Sequence, residues 1–139
     1  MINGIHDEII LAARLLLAAL FLVFGWRKLT DLSGTFNQMV HEGLHLPGLA
    51  TAVSTFMELP VAFAVAIGAF TRPAAMLMTF YTLGTSLVEH RFWTMKGADQ
   101  VEGMENFLKN LAIMGGFLLL AMTGAGKYSL DAAWSIAGP

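Results

Sequence analysis

The chain has 139 residues, 56% of them hydrophobic and 13% charged, with a net charge of -2 at pH 7, which describes a single domain (1–139) too apolar for a soluble fold of its size. Eight Lys and Arg residues provide no basic stripe to follow a phosphate backbone, so nucleic acid is not an expected partner. The absence of cysteine excludes thiol exchange, iron–sulfur clusters held by this chain and Cys-type zinc sites, so any electrons handled must travel through a bound molecule.

The first apolar run, residues 9–26, is interrupted only by Arg14 and is long enough to cross a hydrocarbon core of roughly 30 Å. It lacks the positive leading region and small-residue cleavage site of a signal peptide, so it is expected to remain in the mature protein. Within it Arg14, Ala18, Phe21, Gly25 and Lys28 recur at spacings of four, three, four and three, which places them on one helical stripe. A charge is expensive in lipid and small residues admit a close neighbour, so this stripe should face other helices. Arg14 then either finds an interior partner or reaches back to the near interface.

Residues 30–48 form a connection in which Leu32, Phe36, Met39 and Val40 fall at helical spacing behind the capping candidates Asp31 and Ser33, predicting a short helix along the interface. His41 to His45 match the H-E-x-x-H zinc pattern, but Gly43 inside it and Pro47 after it mark a helix end, so no zinc site is expected. The second apolar run, residues 49–70, holds Glu58 near its middle, and Pro60 cannot donate the helical hydrogen bond to Phe56, so a kink is expected beside the acid. A carboxylate at that depth must be paired, hydrogen-bonded or protonated.

Thr71, Arg72 and Pro73 read as a tight turn, followed by a third apolar run that ends near Glu89 and His90. The stretch from Arg91 to Glu105 reads as an exposed loop, and a fourth run starts with Lys109 and Asn110 near its beginning. A second short interfacial helix is expected after Ser129, with Leu130, Ala133, Trp134 and Ala137 on its apolar face. The fold class is therefore an all-α integral membrane four-helix bundle with helices over about 8–29, 49–70, 73–91 and 105–123, and short interfacial helices in the first loop and at the C-terminus. Trp26 and Trp93 fall at one interface and Tyr128 and Trp134 at the other, as in an aromatic belt. The distribution of Lys and Arg favours long loops in the cytoplasm.

By the parity of four crossings, Lys28, Glu89, His90, Lys109 and Asn110 gather at the face of the long loops. With Glu58, and with Arg14 approaching from the other side, they form the candidate ligand-binding set for a small polar head such as a quinone ring, in which Lys or His donates to a carbonyl and Glu relays a proton. The alternative is an ion-pair network that only holds helices in register. The methionines scatter over several faces and read as packing. Of the four histidines only His90 lies at the end of a spanning run, so no haem is expected from this chain alone.

Several of these segments, taken in order, also match a family. They are Arg14 with the segment Gly25 to Lys28, then Glu58 to Pro60, then Gly68 to Ala75. His90 to Trp93, Lys109 with Asn110, and the closing segment Gly124 to Asp131 continue the series. In this order and spacing the chain resembles the DoxX family over nearly its whole length. The resemblance implies a multi-pass four-helix protein of the bacterial inner membrane, related to the DoxD subunit of a thiosulfate:quinone oxidoreductase and to members linked with quinone stress and oxidant defence. It carries Arg14, Glu58, His90 and Lys109 over as family positions. The expected function is a small quinone-associated subunit supporting oxidoreductase activity or oxidant defence, alone as a homo-oligomer or with a protein partner; the alternative is a non-enzymatic subunit that anchors a larger membrane complex.

Overall fold

The computed structural model describes residues 2–137, and these contain seven α-helices and no strand. Helix α1 runs over Ile2–Thr30, α2 over Leu32–His41, α3 over Pro47–Phe56 and α4 over Ala62–Ile67, with a π-helical turn, Met57–Val61, joining α3 to α4. Helix α5 covers Thr71–Glu89, α6 Ala98–Thr123 and α7 Leu130–Ala137. Four long segments, α1, α3 with α4, α5, and α6, surround a common core that includes Ala18, Phe21, Val65, Met78 and Phe117.

Polarity in this bundle is inverted relative to a water-soluble protein. Arg14, Thr51, Ser54, Glu58, Thr79, Thr82 and Ser86 are buried, whereas Leu16, Val23, Phe63, Phe80, Leu119 and Met122 are exposed. Such an arrangement is stable only where the surroundings are themselves apolar, since exposed side chains then lose nothing and buried polar groups hold helices together. Three segments, Ile5–Thr30, Pro47–Ile67 and Ala98–Thr123, are long and apolar enough to cross a membrane.

Helix α5 is more polar than those three, because threonine and serine occur all along it. Its 19 residues still reach about 28 Å at the usual helical rise. Three buried hydroxyls are satisfied within the helix: Thr79 donates to the Ala75 carbonyl at 2.9 Å, Thr82 to Met78 at 2.7 Å and Ser86 to Thr82 at 2.8 Å.

A short helix is present in the first connection and another after Ser129. Asp31 caps α2 by accepting from the Gly34 N–H at 3.1 Å, and α7 follows Ser129. Two expectations are corrected. The fourth long helix starts at Ala98, so much of the stretch read as a loop up to Glu105 is helical although its charged side chains are exposed. Its apolar seam begins only near Phe107, and the preceding polar turns carried no period that distinguishes them from a loop. The first helix likewise starts at Ile2, ahead of residue 8.

The expected irregularity at Pro60 takes the form of the π turn. Proline lacks the N–H that would bond the Phe56 carbonyl, and the chain widens so that the Ala62 N–H reaches the Met57 carbonyl, five residues back. Glu58 lies in the first part of this turn and is buried.

Candidate functional site

The stripe read on α1 is the inward face of that helix. Arg14 and Ala18 are almost fully buried, Phe21 and Gly25 are buried, and Lys28 is partly covered. Gly25 lies against the π turn, where an added Cβ would stand 2.8 Å from both the backbone carbon and oxygen of Glu58. Only glycine permits that approach, and the approach brings Lys28, one turn further along α1, over the Glu58 carboxylate.

Glu58 is 3% exposed, and one of its oxygens, Oε2, accepts from both the Lys28 ammonium and the Tyr81 hydroxyl. Three helical segments thus contribute one side chain each to a single buried charge. A buried carboxylate of this kind is tolerated because an opposite charge and a charge-assisted hydrogen bond replace its lost hydration.

Tyr81 also forms part of the wall of an apolar cavity of about 250 Å³ between α2, α3 and α5, lined by Met39, Ala50, Val53, Ser54, Gly84 and Glu89 among others. Val53 is 47% exposed and Gly84 is exposed, so the cavity opens on the outer face between α3 and α5. Nothing lies within 4 Å of the position a Gly84 Cβ would take. An apolar chamber with a polar group at its wall is the usual form of a small-molecule site.

The remaining candidates separate. Asn110 points inward and donates to Ser86 Oγ at 2.9 Å, joining α6 to α5. Lys109, one residue earlier and therefore about 100° around the helix, is exposed and forms no ion pair among the described residues, so it does not reach Glu58. His90 caps the end of α5, its N–H bonding the Ser86 carbonyl at 3.1 Å, and it lines a polar pocket with Glu42, Glu89, Asp99 and Glu102 rather than the Tyr81 cavity. Burial lowers the basicity of its imidazole, and the nearby Glu42 partly restores it. His41 ends α2 and Gly43 follows at φ 80°, so His41 and His45 do not stand on one continuous helix.

Arg14 has an interior partner, but it is not Glu58. Its guanidinium donates to the Tyr128 carbonyl at the other end of the bundle, packs against Gly68 and Ser129, and feels the Asp131 carboxylate. Asp131 in turn accepts from the N–H groups of Phe70 at 2.7 Å and Thr71 at 2.8 Å, capping α5. Arg72 closes the end of α6 by donating to the Met122 carbonyl at 2.8 Å and the Ala121 carbonyl at 3.2 Å. Arg14 therefore belongs to a clasp and not to the cavity.

Sequence reasoning missed Tyr81 as a site residue. A tyrosine inside an apolar run facing a segment with a buried acid was the available signal, since a buried phenol normally needs a partner.

Comparison with known proteins identifies the family. The DoxX family profile matches residues 9–91, a span that contains Arg14, Lys28, Glu58 and Tyr81. The chain belongs to the DoxX family. It is 43% identical over 123 residues to the inner membrane protein YphA of Escherichia coli (strain K12), covering 88% of each chain. It is 36% identical over 129 residues to the inner membrane protein YqjF of the same organism, covering 91% of this chain and 92% of that one. No solved structure matches. This DoxX member is accordingly an all-α protein of the inner membrane in contact with the lipid bilayer.

Proposed function

We propose that this protein binds a lipid-soluble ring compound of the quinone class in the cavity beside Tyr81, as a small inner-membrane subunit supporting a redox partner or the disposal of reactive quinones. The observation that carries this reading is the Lys28–Glu58–Tyr81 group, which ends in a phenol at the wall of an apolar chamber. The chamber walls suit a ring delivered from the bilayer. The Tyr81 hydroxyl suits a ring carbonyl, and Glu58 behind it is a base able to exchange the phenol's proton. The mouth beside Val53 and Gly84 faces outward between helices, where a membrane-dissolved compound would arrive.

The test uses the full-length protein in lipid nanodiscs and a short-chain benzoquinone as probe. Gly84→Leu places a side chain at the mouth, where an added Cβ has nothing within 4 Å, and replacing a helical glycine adds up to about 1 kcal/mol of helix propensity. It is expected to retain or raise thermal stability while weakening quinone binding at least tenfold. Tyr81→Phe should weaken binding through loss of the donor. Unchanged affinity in both variants overturns the assignment.

A second reading, a non-enzymatic anchoring subunit, is favoured by the fact that Lys28, Glu58 and Tyr81 come from three different helical segments and tie them together. Purification in mild detergent separates the two readings. A stoichiometric protein partner with no bound quinone or other chromophore favours the anchor.

A further inference from the structure

Glu89 occupies a position that neither the clasp nor the cavity explains. It is the last residue of α5 and makes no hydrogen bond or ion pair among the described residues. Its side chain borders three hollows at once. One is the apolar cavity of Tyr81 and Ser54. The second is a polar vestibule of about 370 Å³ lined by Gln38, Glu42, His90, Asp99 and Glu102. The third is a cleft shared with Arg27, Lys28 and Asp31. Asp99 and Glu102 are exposed on the first turns of α6 and Glu42 is half-buried at the end of α2, so the vestibule meets water at the long-loop end, whereas Glu58 lies inside the bundle.

The charges that face Glu89 come from every element around it. Lys28 approaches from α1, Glu42 from the end of α2 and Glu58 from the π turn, while His90 follows it in sequence. The Lys28 ammonium thus serves two carboxylates, Glu58 by direct contact and Glu89 across the cleft. Two carboxylates against one ammonium leave one negative charge uncompensated, and Glu42 and the carbonyl end of α5 add to it. A proton taken up by Glu89 from the vestibule removes the excess.

We propose that Glu89 is the proton relay between the vestibule and the buried Glu58–Tyr81 pair, a role that rests on the reading of the Tyr81 cavity as a site. The Glu89 carboxylate takes a proton from water in the vestibule. Lys28 gives one N–H proton to the Glu58 carboxylate and is reprotonated by the Glu89 carboxyl. The balance is one proton moved inward, with Lys28 and Glu89 returned to their starting forms. A ligand entering from the bilayer would then exchange protons with the aqueous phase at the long-loop end without any opening of the helices.

The experiment needs no ligand. Full-length protein in nanodiscs is subjected to a rapid pH jump while the carboxyl stretching region of the infrared spectrum is followed, with Glu58→Gln identifying the Glu58 band by its loss. Glu89→Gln is expected to slow the Glu58 response at least tenfold with the same end point, and Glu89→Asp to recover part of the rate. A Glu58 band that responds equally fast in Glu89→Gln, or does not respond to the jump in the wild-type protein, overturns the relay. Failure of the quinone reading would appear separately, as absent benzoquinone binding by a protein whose Glu58 response still depends on Glu89.

Discussion

The two ends of the bundle use charge in different ways. At the end where α4 turns into α5, Arg14, Arg72 and Asp131 all work on backbone groups: a carbonyl at Tyr128, carbonyls at Ala121 and Met122, and the N–H groups of Phe70 and Thr71. At the long-loop end Lys28, Glu58 and Tyr81 work on one another, with hollows beside them. Side chains that close helix ends are committed to the backbone, although among the described residues Arg14 Nε and Nη1 remain without a hydrogen-bond partner. Side chains that satisfy only each other can exchange a partner for a bound molecule. The same stripe of α1 carries one residue of each kind, Arg14 and Lys28, so position on a buried face does not by itself distinguish a clasp from a site.

The sharpest break in this comparison is Arg14→Met. It strands the Tyr128 carbonyl, and loss of a buried hydrogen bond from a charged donor typically costs about 1.5 to 3 kcal/mol. Chemical unfolding in detergent should show that loss, while any folded fraction keeps quinone affinity. Loss of affinity with stability intact would reverse the roles of the two ends.

Arg14 also shows what could be read from the chain alone. That it faces inward followed from its spacing to Ala18, Phe21 and Gly25, because a cation in an apolar helix has few other places to go. Its partner did not follow, because a backbone carbonyl has no sequence signature. Glu58 was legible for the same reason as Arg14. Lys28 as its counter-ion depends on the close approach at Gly25, a contact between segments that no local pattern reports. Lys109 was misplaced because counting crossings assigns a residue to a membrane face but not to a side of its helix. The neighbouring Asn110 took the inward direction.

A middle-sized effect is expected at the contact that assembles the site. Gly25→Ala places a Cβ 2.8 Å from the Glu58 backbone, and overpacking of this kind costs typically about 1 to 3 kcal/mol. The displaced π turn should also separate Lys28 from Glu58, so binding and stability fall together; a variant losing neither would show that the approach is not tight. The smallest effect belongs to Lys109→Ala. An exposed residue without an ion pair should change stability by less than about 0.5 kcal/mol and leave quinone affinity as it is. A tenfold loss of affinity would return Lys109 to the site.

The link between Arg14 and Tyr128 spans 114 residues of sequence, which bears on how the protein is made. At synthesis rates of roughly 5 to 20 residues per second, Arg14 waits about 6 to 23 seconds before its carbonyl partner has been polymerised. During that interval the guanidinium lacks the carbonyl that holds it in the finished bundle. The contact that buries the Arg14 guanidinium against Tyr128 is therefore a late one, made only after the other long helices have been synthesised.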